Sequence, residues 1–279
     1  MGMNRRGRRA VAIFTAAVVL TGSLFTASSA SAAPPLPVKM AALGDSISQA
    51  AMTCSSLLSC PPNGWSTGTT ASVNSHFTRL RTAGATSLVA YNNAVSGALS
   101  GGLNAQAAKA VNQGAQYVTV QIGANDACTR TVATMTPTAT FKANVAAALT
   151  TLSASAAAPE IFLSSIPNIK LMYDINKSST SARLAWGLLR ICQSMLANPT
   201  STKAADVQRR DAVQARVTEY NTALAEVCAA TAKCKWDGGA VANYAFVKAD
   251  ISTRDYFHPS ATGQAVLSSI TWNASQWAS

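Results

Sequence analysis

Four short blocks of the chain hold residue types that do chemistry: Gly44-Asp45-Ser46, Asn92-x-Ala94-x-x-Gly97, Gly123-x-Asn125-Asp126 and Asp255-x-x-His258-Pro259. In chain order they offer a serine nucleophile, two groups able to bind an oxyanion, and an acid–histidine pair. Those are the parts an acyl-transfer site needs. Ser46 directly follows an apolar run, where a strand-to-helix turn would project its hydroxyl above a sheet beside helix-end N–H groups. By itself Gly-Asp-Ser reads as a plain helix cap. No G-x-S-x-G occurs, so the nucleophile elbow of the α/β-hydrolases is missing.

His258 is one of two histidines and follows Asp255 by three residues. On a loop or first helical turn, that spacing brings the carboxylate to one ring nitrogen and leaves the other for Ser46. The carboxylate then holds the tautomer and steadies the imidazolium formed during attack. Pro259 is expected at the start of a helix, fixing the chain direction behind the ring. The other histidine, His76, lies in a helical pattern with Phe77 and Leu80 and reads as a surface or packing residue. The N–H groups of Ser46 and Gly97 and the side-chain amide of Asn125 would complete an oxyanion hole from three strand ends. Glycine suits position 97 if a side chain there would collide with the substrate or hold the backbone away. Alone, Asn125-Asp126 is a turn and Gly97 a loop glycine. Their joint occurrence with Ser46 and His258 outweighs that reading.

The elements that must position these blocks are legible in outline. Apolar segments at Val38–Leu43, Ser87–Tyr91, Tyr117–Ile122, Glu160–Ile166 and Tyr244–Val247 read as strands, separated by longer helical patterns. The helical candidates are Val73–Ala83, Leu103–Asn112, Thr138–Ser155, Asp206–Cys228 and Ala261–Trp277. The clearest is Asp206–Cys228, in which Val213, Val217, Tyr220, Leu224 and Val227 recur at steps of four and three. Alternation of this kind implies an α/β domain with a parallel sheet covered on both faces. The segment Asn168–Lys203 fits least well. It mixes bulky apolar residues with Ser- and Thr-rich stretches and reads as a helical insertion, with a lid or an acyl-chain wall as the sharper alternative.

On these four blocks the chain resembles the SGNH (GDSL) hydrolase superfamily, and more narrowly its secreted, disulfide-bearing esterases and lipases of actinobacteria. The resemblance spans Gly44 to Pro259. It implies a flavodoxin-like three-layer α/β/α sandwich with a five-stranded parallel sheet. It also implies roles: Ser46 as nucleophile and oxyanion donor, Gly97 and Asn125 as further oxyanion donors, His258 as base and Asp255 as its orienter. Asn92 and Asp126 would shape the two supporting loops. The expected activity is a serine ester hydrolase working through an acyl-enzyme on lipid esters, with no cofactor. Removal of acetyl groups from polysaccharide, acyl transfer, or a non-catalytic surface-binding protein on the same scaffold are the alternatives.

The chain ends and composition set the surroundings. Arg5, Arg6, Arg8 and Arg9 precede an apolar stretch, Ala10 to Phe25, and Ala30-Ser31-Ala32 offers a cleavage site. Residues 1–32 therefore read as a secretory signal and 33–279 as the catalytic domain of an extracellular protein. The formal charge is +11; without those four arginines, 18 basic residues face 11 acidic ones, leaving +7. That favours peripheral contact with anionic lipid surfaces or cell-wall polymers. No basic run follows the signal and no aromatic-rich basic stripe is present, so nucleic acid is not expected as a partner, and a monomer is expected. Six cysteines in an exported chain suggest three disulfides. Spacing pairs Cys54 with Cys60 and Cys228 with Cys234, leaving Cys128 for Cys192. With no C-x-x-C and two histidines, no zinc site is expected.

Overall fold

Short β-branched and apolar runs, bounded by glycine and polar turns, can satisfy their backbone groups only by pairing with one another. In the computed structural model, which describes residues 1–3, 33–55 and 57–278, they do so in one five-stranded parallel sheet. The strands are β1 (Lys39–Gly44), β2 (Val89–Asn92), β3 (Tyr117–Gln121), β4 (Glu160–Leu163) and β5 (Cys234–Trp236), in spatial order β2-β1-β3-β4-β5. The order reverses at β1, which lies between β2 and β3. In an open α/β sheet, that reversal opens a crevice beyond the carboxyl ends of the strands. The expected signal segment lies outside the described residues except for its first three. No helix among the described residues is long and apolar enough to cross a membrane.

The sheet is buried on both faces because alternate side chains serve different layers. Ala41, Leu43, Val118, Val120, Ile161 and Leu163 point into a core shared with α2 (Leu103–Gln113), α4 (Thr138–Ser153) and α8 (Ala204–Ala229). Met40, Tyr117 and Phe162 point the other way, against α1 (His76–Thr82) and α10 (Ala261–Asn273). The stripe Val213, Val217, Tyr220, Leu224 and Val227 is the buried face of α8, a helix about 39 Å long. Fully buried Phe162 bridges the sheet and the second layer, and its truncation to alanine should cost about 3–5 kcal/mol.

The remaining helices are short: α3 (Ala124–Ala127), α5 (Ile169–Asn176), α6 (Thr180–Leu189), α7 (Gln193–Leu196) and α9 (Ala240–Asn243). The segment Asn168–Lys203 thus folds as three helices. Its Ile169, Tyr173, Trp186, Met195 and Leu196 are buried in the first core and Met172 in the second, whereas Leu184, Leu188 and Leu189 are exposed. Cys54–Cys60, Cys128–Cys192 and Cys228–Cys234 are bonded, as the spacing suggested.

Two assignments of secondary structure fail here. The fifth strand is not Tyr244–Val247 but Cys234–Trp236, an edge strand paired only with β4. Tyr244 and Phe246 instead pack edge to face, with ring centres 4.8 Å apart, in an irregular stretch that buries Phe246 in the second core. Their aromatic character serves packing from a loop. Pro259 also does not start a helix: it bridges to Ile251, and Ser260 is the N-cap of α10, its hydroxyl accepting the Gly263 N–H.

Candidate active site

Ser46 sits just past β1, in a run of tight turns rather than at the head of a helix. Gln49, Ala50 and Ala51 return their N–H groups to the carbonyls of Asp45, Ile47 and Ser46. Gly44 before it has φ +141, and a Cβ there would lie 2.1 Å from the Gln121 carbonyl oxygen of β3, so only glycine lets the strand pass. Gln106, buried on α2, clamps the same residue. Its carbonyl accepts the Gly44 N–H at 2.7 Å and its amide donates to the Gly44 carbonyl at 2.9 Å. Gln264 of α10 makes a second clamp, donating to Ile47 O and accepting from Trp65 N–H. Both glutamines fix the serine turn, and neither was singled out in the sequence.

Asp255 and His258 lie on a tight loop closed by the Ile251–Pro259 bridge and by the Ser252 N–H on His258 O. Tyr256 takes a left-handed φ of +58 within it. The turn folds the Asp255 carboxylate over its own successors: Oδ1 accepts the N–H groups of Phe257 and His258, each at 3.0 Å, and Oδ2 lies 2.5 Å from His258 Nδ1. The other ring nitrogen, Nε2, lies 2.8 Å from Ser46 Oγ. Asp255 is fully buried, while the ring keeps some exposure toward the cavity. The arrangement is a continuous carboxylate–imidazole–hydroxyl chain from buried protein to a ligand-sized space.

The other two blocks arrive from the ends of β2 and β3. Gly97 has φ +80, and a Cβ there would meet nothing within 4 Å. Its glycine is required by backbone conformation, not by a clash inside the protein. The N–H groups of Ser46 and Gly97 donate to no atom among the described residues. Asn125 donates one amide hydrogen to Ala98 O at 3.0 Å, which orients the group and leaves the second hydrogen toward the cavity. Asn92 donates to Ser48 O and accepts the Ala94 N–H, tying the loop after β2 to the serine turn. Asp126 accepts both the N–H and the hydroxyl of Ser100, and burial raises its pKa.

Asp45 directly precedes the serine. Burial raises its pKa to about 6, opposed by the Ile47 N–H it accepts and by the nearby His258 ring. Its second oxygen, Oδ2, has no partner.

Ser46, Gly97, Asn125 and His258 all line one cavity of about 430 Å³. Most of its other lining is apolar, with Ile47, Met52, Leu57, Ile169, Met172 and Ile191, and Phe257 beside the histidine, while Ser59, Ser96 and Arg190 are its polar exceptions. The α5–α7 insertion is therefore a wall of the cavity. His76 is remote from it, buried between Trp65, Tyr117 and Phe162.

Comparison with known proteins bears on the family and the fold. The model of the GDSL-like lipase/acylhydrolase family matches residues 42–266. Among solved structures, the chain is similar to an extracellular lipase from Streptomyces rimosus (19% identity, 85% of this chain and 100% of that one covered, TM-score 0.50). It is also similar to LAE5, an alpha/beta hydrolase enzyme from the metagenome of Lake Arreo, Spain (16%, 86% and 95%, 0.55). A third is the acetyl xylan esterase AlAXEase (14%, 85% and 99%, 0.51). At these identities the likeness is one of fold. A search of the curated proteins finds no match.

Proposed function

Because the chain belongs to the GDSL-like lipase/acylhydrolase family, we propose that it is a secreted serine esterase that cleaves lipid esters through an acyl-enzyme. The observation that carries this reading is the 2.8 Å contact of Ser46 Oγ with His258 Nε2, opening into an apolar cavity. Ser46 Oγ attacks the ester carbonyl while His258 Nε2 takes its proton, and Asp255 stabilises the charged ring through Nδ1. The negative oxygen of the tetrahedral intermediate is met by the N–H groups of Ser46 and Gly97 and the Asn125 amide, held in place before reaction. Collapse expels the alcohol, protonated by His258. Water then enters, loses its proton to the same nitrogen and releases the acid.

The lining supports an acyl chain in the cavity. A polysaccharide acetyl esterase would be served by a shallow cleft with aromatic platforms; among the described residues Phe257 is the one aromatic side chain besides His258 lining this cavity, with no tryptophan or tyrosine. Three disulfides support an oxidising, extracellular setting. A nitrophenyl ester series from acetyl to decanoyl, run beside acetylated xylan, tests the substrate class. Rising kcat/KM from acetyl to hexanoyl or octanoyl is expected; a maximum at acetyl with turnover of xylan would replace the lipid reading. A phosphonate probe should label Ser46, and labelling of Ser48 or Ser96 instead would reassign the nucleophile.

A further inference from the structure

The cavity has a charged annex. The Cys128–Cys192 disulfide, with Cα atoms 4.2 Å apart, joins the loop after α3 to the loop between α6 and α7. Ser194 strengthens the junction, donating its N–H to Thr129 O and its hydroxyl to Ala127 O. Arg130 stands two residues after one half-cystine and Arg190 two residues before the other. Together with Thr129 and Gln193 they line a depression of about 300 Å³. Arg190 and Cys128 also line the catalytic cavity, so the two spaces adjoin.

The chemistry of this annex is one-sided. Neither guanidinium has a hydrogen bond, ion pair or ring contact among the described residues, and both side chains are exposed at the rim. The polar neighbours are already committed: the Thr129 hydroxyl donates to Thr131 O, and the Gln193 amide to Trp186 O and Ile191 O. No Asp or Glu among the described residues lines either space. Arg190 is held in a left-handed conformation, φ 51 and ψ 36, between the end of α6 and the disulfide-bonded loop. Two unneutralised planar forks on rigidly joined loops suit the oxygens of a phosphate, which accept paired N–H groups.

We propose that Arg130 and Arg190 form an anion subsite that seats a phosphate carried by the substrate, while the acyl chain occupies the apolar cavity. The preferred ester is then a phosphate-bearing lipid. The proposal rests on the ester-hydrolase reading and deepens it by assigning the polar side of the substrate.

The test compares monomeric dihexanoyl phosphatidylglycerol with dihexanoylglycerol, both below the concentration at which they aggregate. Arg130→Gln and Arg190→Gln should each lower the kcat/KM ratio of phosphate ester to neutral ester by about tenfold, and the double variant by more, the scale of a charged hydrogen bond. Arg190→Lys keeps the charge without the fork and should recover part of the ratio. An unchanged ratio in the double variant overturns the subsite. So does a ratio unchanged for monomers with turnover lost only on phosphatidylglycerol vesicles, because the arginines would then be meeting a lipid surface. Calorimetric binding of the same phospholipid to Ser46→Ala, with and without the two substitutions, separates this from the parent reading. If the wild-type protein cleaves no ester but binding still falls in the arginine variant, the subsite stands and the hydrolase reading fails. If binding is unaffected, the subsite fails by itself.

Discussion

His76 and His258 each have both ring nitrogens in hydrogen bonds, one inside the aromatic layer under α1 and α10, the other at the strand ends. His76 meets two neutral hydroxyls. Thr271 passes its own hydrogen to Leu267 O, so it accepts from His76 Nε2, and Tyr117 donates to Nδ1 at 2.7 Å. Full burial, aided by the Arg79 charge, pushes the ring's pKa down to about 3, and it stays neutral. His258 meets a carboxylate on one side and a serine hydroxyl on the other, and its outer edge reaches a cavity. The ring is the same in both places. What differs is a neighbouring negative charge able to support an imidazolium, and access for a substrate.

Substitution at the two histidines gives the largest contrast. His258→Ala and Ser46→Ala should each lower kcat by about 10⁶, as loss of one member of a concerted triad does, with melting temperatures close to wild type. His76→Asn should do the reverse, keeping kcat within about tenfold while destabilising the fold. A folded but inactive His76→Asn protein would break the comparison.

The next effect isolates the charge. Asp255→Asn keeps the size of the side chain but no longer supports a positive ring or its tautomer, and kcat should fall by about 10⁴. A loss of tenfold or less would mean the carboxylate is not what distinguishes His258 from His76. Smaller again is Asn125→Ala, which removes one preorganised donor. It should lower kcat by about 10²–10³ with little change in KM, readable from steady-state kinetics. A KM effect alone would make Asn125 a binding group.

The smallest effect is on stability against pH. The His76 pKa in the fold lies below the ordinary value of 6.5, so the unfolded chain binds more protons between pH 6.5 and about 3. Stability from this source is complete above pH 6.5 and lost as pH falls toward 3, on the order of 5 kcal/mol. Asp45 runs oppositely: raised from 3.8 to about 6, it contributes stability below pH 3.8 that is lost as pH rises through 6. Urea titrations at several pH values should therefore show a flatter acid slope in His76→Asn and a steeper one in Asp45→Asn. An acid slope in His76→Asn equal to wild type would remove the buried ring as its source.

Most of the sheet was legible because its strands are continuous apolar runs. β1, β3 and β4 lie within about three residues of where composition places them, and α8 within two. β5 was not, since Cys-Lys-Trp is too short and too polar to read as a strand, and pairing with β4 makes it one. The aromatic stretch Tyr244–Val247 misled for the complementary reason, because burial of a side chain does not require a ladder. Gln106 and Gln264 give no local signal. Each is a helical glutamine whose partners lie far along the chain, 62 residues away for Gly44 and 199 for Trp65.

The sequence alone determined the chemical inventory: which residue types were present, in what order, and that the first three blocks followed strands. It also determined the Asp255–His258 contact, because a three-residue spacing on a tight turn closes it locally. Tertiary structure decided the rest. Ser46 and His258 are 212 positions apart, and only the reversal of strand order at β1 and the packing of α10 bring them to 2.8 Å. The apolar character of the cavity and the unpaired Arg130 and Arg190 beside it were likewise set by packing, since neither burial nor the absence of a counter-charge is a property of local sequence.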